Sequence, residues 1–210
     1  NLKRAGAGHV VPFAHKPDPS RPIHATEQFA EGFYKLGVDG VDFTPRLFPA
    51  AQDLAAARVF MQNAGVLTGQ KLVAIHSGSG SPSKNWPILR WAQVAEALIP
   101  EGWKILWVTG PAEIETKARL DPPRGSVVVE NLPLEVLGAL LAQCRLFLGH
   151  DSGISHLAAA VGTPVICLFG GSDPVVWAPR GSHVSVLRTK RQTLDSISVD
   201  MVLEHVSMVA

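Results

Sequence analysis

The sequence predicts an α/β fold: a parallel sheet with helices on both faces. Three observations carry this. From Lys71 onward, short apolar runs alternate with stretches whose apolar residues recur at helical spacing. The runs are near-continuous, as strands buried on both faces require. Each is joined to the next by a helix-length segment, which gives parallel strands with right-handed crossovers.

In chain order, KLVAIH (71–76) is the first strand and PILRWAQVAEALI (87–99) the helix after it. Ile88, Trp91, Ala92, Ala95, Leu98 and Ile99 share one face of that helix, and Pro87 suits its first turn. KILWVTG (104–110) is the second strand, AEIETKARL (112–120) a short helix and SVVVE (126–130) the third strand. In PLEVLGALLAQC (133–144), Leu134, Leu137, Gly138, Leu141 and Ala142 form one stripe. LFLGH (146–150) is strand four, ISHLAAAVG (154–162) a helix and VICLFG (165–170) strand five. The alternation is Rossmann-like.

The flanks read differently. HKPDPSRP (15–22) is a charged, proline-rich loop. ATEQFAEGFYKLG (25–37) is helical, with Phe29, Phe33 and Leu36 on one side and Gly37 as its stop. AAQDLAAARVFMQNAG (50–65) is a second helix, and SVDMVLEHVSMVA (198–210) is amphipathic through Val199, Val202, Leu203, Val206 and Val209. The expected organisation is a linker and remnant of another domain over 1–65 and the Rossmann-like domain over 66–185. Residues 186–210 are then a strand and helix packing back on that domain or its neighbour. The chain opens on Asn1 without an initiator methionine, which fits a fragment, and no signal peptide is legible.

Composition excludes several classes. A net charge of +1 gives no broad attraction to nucleic acid or anionic membrane. No apolar run reaches the ~18 residues a bilayer span needs. Cys144 and Cys167 sit in apolar settings as small hydrophobes, so no disulfide framework is implied and a reducing cytoplasm is expected.

Ligands of open parallel sheets bind beyond the carboxyl ends of the strands, and three polar clusters fall there. HSGSGSPSKNW (76–86) follows strand one. The glycines let backbone amides approach an anion, and Lys84 adds a full charge. The competing reading is a solvated flexible loop. Ser83 occupies the third glycine position of a dinucleotide fingerprint, and no acid follows strand two at the place that would hold a ribose, which argues against a nicotinamide dehydrogenase. No glycine loop closes on Lys-Ser or Lys-Thr, so the ATPase phosphate loop is absent. TGPAEIE (109–115) sets Glu113 and Glu115 in or near a helix's first turn, where acids also simply oppose the helix dipole.

HDSGISH (150–156) is the third cluster. Asp151 is placed to cap the next helix. Ser152, Gly153 and Ser155 leave the helix end uncrowded, and His156 lies in its first turns. A cap plus a packed histidine is one account; a cradle for a diphosphate is the other. A serine hydrolase does not fit, because Gly149-His150-Asp151-Ser152-Gly153 is one residue out of register with a nucleophile elbow.

HDSGISHLAAAVGTPVICLFGGSDPVVWAP (150–179), with its D-S-G-x-x-H, alanine-rich helix, G-x-P and strand ending in F-G, resembles the signature of glycosyltransferase family 9, the lipopolysaccharide heptosyltransferases. GSGSPSKNWPILRWAQVAEAL (78–98) resembles that family's phosphate loop with its K-x-W-P. Together the motifs span residues 71 to 180. The resemblance implies the C-terminal, donor-binding half of a GT-B fold.

By position, Lys84 would contact the donor phosphates, with Ser77, Gly78 and Ser79 in the same loop. Asp151, Ser152, Gly153 and His156 would cradle diphosphate and sugar, and Glu113, or Glu115, would hold the ribose. The implied activity is inverting, metal-independent transfer of heptose from ADP-heptose to a lipopolysaccharide core. No cofactor is implied beyond the nucleotide-sugar substrate, and no metal. The catalytic base is expected in the preceding domain and is unassigned here. The implied partners are donor and glycan acceptor, with a cytoplasmic location and peripheral contact at the inner membrane face. A nucleotide-sugar epimerase of similar architecture and a nucleotide-binding module without chemistry are the alternatives.

Overall fold

In a computed structural model the structure describes residues 6, 10, 16–18, 20–40, 42–110 and 122–209. Its centre is a six-stranded sheet in the order β3-β2-β1-β4-β5-β6, parallel throughout. The strands are β1 (Lys71–His76), β2 (Trp103–Thr109), β3 (Val127–Glu130), β4 (Leu146–His150), β5 (Val165–Leu168) and β6 (Val184–Leu187). The helices are α1 (Ala25–Tyr34), α2 (Ala51–Asn63), α3 (Ile88–Leu98), α4 (Leu134–Leu141), α5 (Gly153–Ala160), α6 (Pro174–Trp177) and α7 (Val199–Val209). This is the Rossmann-like α/β architecture that the alternation predicts.

Alternate strand residues build two apolar layers. Leu72 and Ala74 of β1, Leu106 and Val108 of β2 and Phe147 of β4 face α2, α4 and α5. Val73, Ile75, Ile105, Trp107, Leu146 and Leu148 face α3 and α7 instead. Each large side chain buried in this way contributes about 1.5–3 kcal/mol, which is why these strands tolerate so few polar residues.

Several expectations change on contact with the tertiary structure. The sheet has a sixth strand, Val184–Leu187, which crosses the 185/186 boundary expected from sequence. Its register with β5 supplies backbone partners to a segment whose apolar pattern is too short to stand out. The helix before β1 is also part of this unit, because Ala57 and Met61 of α2 lie in the core with α4. On α1 the buried residues are Ala25, Ala30 and Gly32, whereas Phe29, Phe33 and Leu36 are exposed. Small residues allow close approach there, and the aromatic side faces away. Gly37 does stop the helix, at φ +76. On α4, Leu134 and Ala142 fall off the buried stripe and are exposed. In α7, Val202 and Val206 are the inward pair. The short helix expected at 112–120 lies outside the described residues.

Gly149 sets the joint between β4 and α5. A Cβ there would lie 2.7 Å from the Phe147 ring and 3.2 Å from Ser155 Oγ. Its absence lets the Ser155 hydroxyl reach and donate to the His150 carbonyl, pinning the first turn of α5 to the end of its strand.

Candidate functional site

The chain order reverses between β1 and β4: the crossovers run outward from β1 to β2 and β3, then return to β4. The loops leaving β1 and β4 therefore separate at the carboxyl edge and open a crevice, the usual ligand position in such sheets. These loops are 77–87 and 151–152, the two that the sequence marks as polar.

They meet through charge. Lys84 ends a 3₁₀ turn, Pro82–Lys84, and its Nζ lies 2.5 Å from Asp151 Oδ2. Asp151 is 9% exposed and Lys84 is 43% exposed, so the carboxylate is seated and the ammonium reaches the mouth. Asp151 was expected to cap α5, and it does not. The cap position is Ser152, no side chain caps the helix, and the aspartate precedes that position with its carboxylate on Lys84 instead. A helix end without a side-chain cap still presents the partial positive charge of its first-turn amides.

Ser77 and Ser79 are buried in the loop after β1. The Ser79 hydroxyl lies within hydrogen-bond distance of Asn85 Oδ1 (2.6 Å) and of the Ser81 carbonyl (2.8 Å), so it shapes the loop from within. Ser152 Oγ lies 3.5 Å from His76 Nδ1 and 3.3 Å from Ser155 Oγ. His156 sits in the first turn of α5 and is partly buried. Burial pushes its pKa below the usual histidine value, against the pull of the nearby Asp151 carboxylate. The structure thus brings together Ser77, Gly78, Ser79, Lys84, Asp151, Ser152, Gly153 and His156 at one edge of the sheet. Glu113, read as the ribose acid, lies outside the described residues.

His150 was not singled out from sequence, yet it organises the site. Its Nε2 accepts from the Trp86 backbone N–H (2.7 Å) and from the Trp91 indole N–H (3.2 Å). Two donors at Nε2 fix the proton on Nδ1, which faces the Gly78 carbonyl at 3.5 Å. The ring also meets Trp91 edge-on, and Trp91 meets Trp86 likewise. The Trp86 indole N–H donates to the Ile197 carbonyl. The W of K-x-W-P is thus an anchor: it ties the loop carrying Lys84 to the end of β4. The signal available in sequence was a histidine at the last position of a fully apolar strand, where a polar side chain needs partners.

A small pocket of about 80 Å³ opens beside the cluster, between the ends of β1, β2 and β3. His76, Thr109, Asn131, Leu132 and Ile154 line it, and Thr109 Oγ1 is buried with no hydrogen-bond partner among the described residues. A larger apolar cleft of about 350 Å³ lies elsewhere, under Leu47, Phe48, Leu134 and Leu157. Size alone would choose the latter, but it does not hold the Lys84–Asp151 pair.

Burial lowers the pKa of three histidines. His150 is pushed down to about 3, mainly by burial and then by His76. His24 and His156 are also lowered, burial being the first cause in both. A depressed histidine contributes stability that is complete above the unfolded value near 6.5 and is lost as pH falls toward the folded value, because only the unfolded chain takes the proton. Unfolding free energy should therefore be level above pH ~7. Below ~6.5 it should fall by up to about 1.4 kcal/mol per pH unit for each such ring. Urea titrations between pH 4.5 and 8 check this; a flat profile would show that the rings ionise freely in the folded chain.

The chain matches the family model of glycosyltransferase family 9 (heptosyltransferase) over residues 14–206. It is 32% identical over 190 residues to lipopolysaccharide heptosyltransferase 1 of Escherichia coli K12, covering 88% of this chain and 56% of that protein. It is also 32% identical over 156 residues to an Escherichia coli lipopolysaccharide heptosyltransferase 3, covering 71% of this chain and 45% of that protein. The chain thus spans about half the length of these curated relatives. Among solved structures, a glycosyl transferase family 9 protein from Veillonella parvula superposes with a TM-score of 0.83 at 23% identity, over 99% of this chain and 64% of that one. The Escherichia coli heptosyltransferase WaaC, solved with ADP, gives 0.69 at 23% identity, over 92% and 59%. At such identities the structural likeness shows the fold; the family match shows membership. The chain belongs to glycosyltransferase family 9.

Proposed function

We propose that these residues form the donor site of a heptosyltransferase, which transfers heptose from ADP-heptose to a lipopolysaccharide core. The observation that carries the reading is the meeting of Lys84 with Asp151 at the crevice between β1 and β4, beside the N-terminus of α5. A sugar leaves a nucleotide sugar as negative charge gathers on the diphosphate. An ammonium and helix amides already in place stabilise that charge without reorganising, and so lower the barrier. Asp151 holds the Lys84 ammonium near the mouth, and His156 stands in the first turn of α5 nearby. The pocket at Thr109 and Asn131, beside this cluster, is the proposed position of the nucleoside. The reaction is proposed to be inverting and metal-independent, with the acceptor's base supplied from outside these residues. No helix among the described residues is long and apolar enough to cross a membrane. The proposed setting is cytoplasmic, at the inner membrane face.

The names of the relatives and the ADP in the WaaC structure support this choice of substrate. The test has two parts. Calorimetry should show ADP binding far more tightly than adenosine, because the phosphates meet the charged edge. The full natural protein, given ADP-heptose and heptose-deficient lipopolysaccharide, should release ADP only when acceptor is present. Acceptor-independent conversion of the sugar would instead indicate an epimerase, and equal affinity for ADP and adenosine would remove the donor reading.

His156 separates cradle from packing. His156→Gln should weaken ADP by roughly 2- to 13-fold, the range of one neutral hydrogen bond, while the melting temperature holds within about 2 °C. A lowered melting point with unchanged ADP affinity would make His156 a packed residue only.

A further inference from the structure

The loop that carries Lys84 is held from a second side, by the C-terminal part of the chain. The Trp86 indole N–H donates to the Ile197 carbonyl (3.1 Å), and Arg90 Nη1 donates to the same oxygen (2.8 Å). Arg90 Nη1 also donates to the Asp195 carbonyl (2.8 Å). Both carbonyls lie in the turn before α7, where Leu194–Ser196 form a 3₁₀ segment. That turn is seated in the core by Leu194 and Ile197, both buried. The Arg90 guanidinium carbon also stands 5.9 Å from the centroid of the Trp86 ring, within the range of a cation–π contact. One carbonyl thus receives two donors, one from the loop and one from the helix that follows it.

We propose that Arg90 is a positioning residue for Lys84, acting through the Ile197 carbonyl and Trp86. Lys84 precedes Trp86 by two residues, so the seat of the indole limits where the ammonium can stand. The chain between them has little slack. Asn85 Oδ1 lies 2.6 Å from the Ser79 hydroxyl, the Trp86 N–H is held by His150, and Pro87 keeps Trp86 extended. Arg90 fixes the remaining partner, the oxygen that receives the indole. Its two hydrogen bonds to the turn are charge-assisted and therefore strong, and without them the acceptor of Trp86 is free to shift. A shift there moves Lys84, whose hold on a phosphate depends on distance and direction. The helix itself did not require arginine, since leucine, lysine or glutamine serves its backbone about as well. Residues 107 positions apart are joined in this way, and the C-terminal segment is coupled to the donor loop. The inference rests on the donor reading above.

Two substitutions separate positioning from packing. Arg90→Met keeps an unbranched apolar stem on the helix and removes the donors, whereas Arg90→Lys keeps a cation near the indole. In the full chain, with ADP as probe, Arg90→Met should weaken binding by about 2- to 30-fold and leave adenosine unaffected, because the change reaches the ligand through Lys84. Arg90→Lys should recover part of that loss. Should Arg90→Met not fold, Arg90→Lys carries the same comparison, with a smaller loss for ADP and none for adenosine. In a Lys84→Ala background, Arg90→Met should cost little further ADP affinity, since the group it positions is already gone. A residue that only braces the fold would lower the melting temperature and leave the ratio of ADP to adenosine affinity unchanged. That result, or an equal ADP loss with and without Lys84, would overturn the proposal. Lys84→Ala alone is the control. If it does not weaken ADP, the donor reading itself fails; if it does and Arg90→Met binds ADP as wild type does, only the positioning role fails.

Discussion

His150→Leu is expected to destabilise the protein by about 3–5 kcal/mol, a large share of the 5–15 kcal/mol that holds a typical domain folded. Leucine fills much of the volume, so cavity formation is not the main cost. The cost comes from the Trp86 N–H and the Trp91 indole N–H, both directed at His150 Nε2 and both belonging to buried residues. A buried donor deprived of its acceptor costs about 1–3 kcal/mol, and here two are lost together. The substitution also unfastens the loop that carries Lys84, so ADP affinity should fall even where the variant is still folded. His150→Gln keeps an acceptor in the neighbourhood and should lose less. Equilibrium urea unfolding of the three proteins measures this directly. A loss below about 1 kcal/mol for His150→Leu would mean that water or a rearranged loop satisfies both tryptophans.

Lys84→Ala is expected to weaken ADP by roughly 10- to 150-fold, the equivalent of a charge-assisted hydrogen bond worth ~1.5–3 kcal/mol, and to leave adenosine almost unaffected. Stability should change little. The Lys84 side chain is 43% exposed, and an ion pair with so much solvent contact contributes modestly to folding. The variant also leaves the seated carboxylate of Asp151 facing the phosphates without its counter-charge, which pushes the loss toward the upper end of that range. Raising the salt concentration should narrow the difference between wild type and variant, since both effects are electrostatic at a partly open site. Calorimetric titration with ADP and adenosine decides the matter. Equal losses for the two ligands would mean that Lys84 shapes the loop and does not touch phosphate.

The strands were legible because burial on both faces leaves a local mark. KLVAIH and LFLGH coincide with β1 and β4 to the residue, and β2, β3 and β5 differ from their predicted spans at the ends alone. A strand and helix were expected over 186–210, but the start of β6 at Val184 was not. Its residues 184–185 are only half-buried, and it gains its partners from β5 rather than from its own pattern. The polar loops were legible for a related reason. Glycine, serine, lysine and aspartate crowded at strand ends have no packing role, so they mark a mouth.

The sequence by itself determined the α/β class, the positions of the central strands and which loops carry polar chemistry, because strand burial and loop polarity are written in consecutive residues. The tertiary structure alone decided what those residues do to one another. Asp151 is one residue from a helix cap in sequence, yet its carboxylate goes to Lys84, 67 positions away. His150 reads as one polar residue in an apolar strand, and space gives it two tryptophans and a glycine carbonyl. Phe29, Phe33 and Leu36 read as one apolar side of a helix, but the face that packs is made of alanine and glycine. A hydrogen bond or an ion pair depends on distances of a few ångströms between segments with no fixed separation along the chain. Only the packing of β1 against β4, and of α1 against the end of α6, sets those distances.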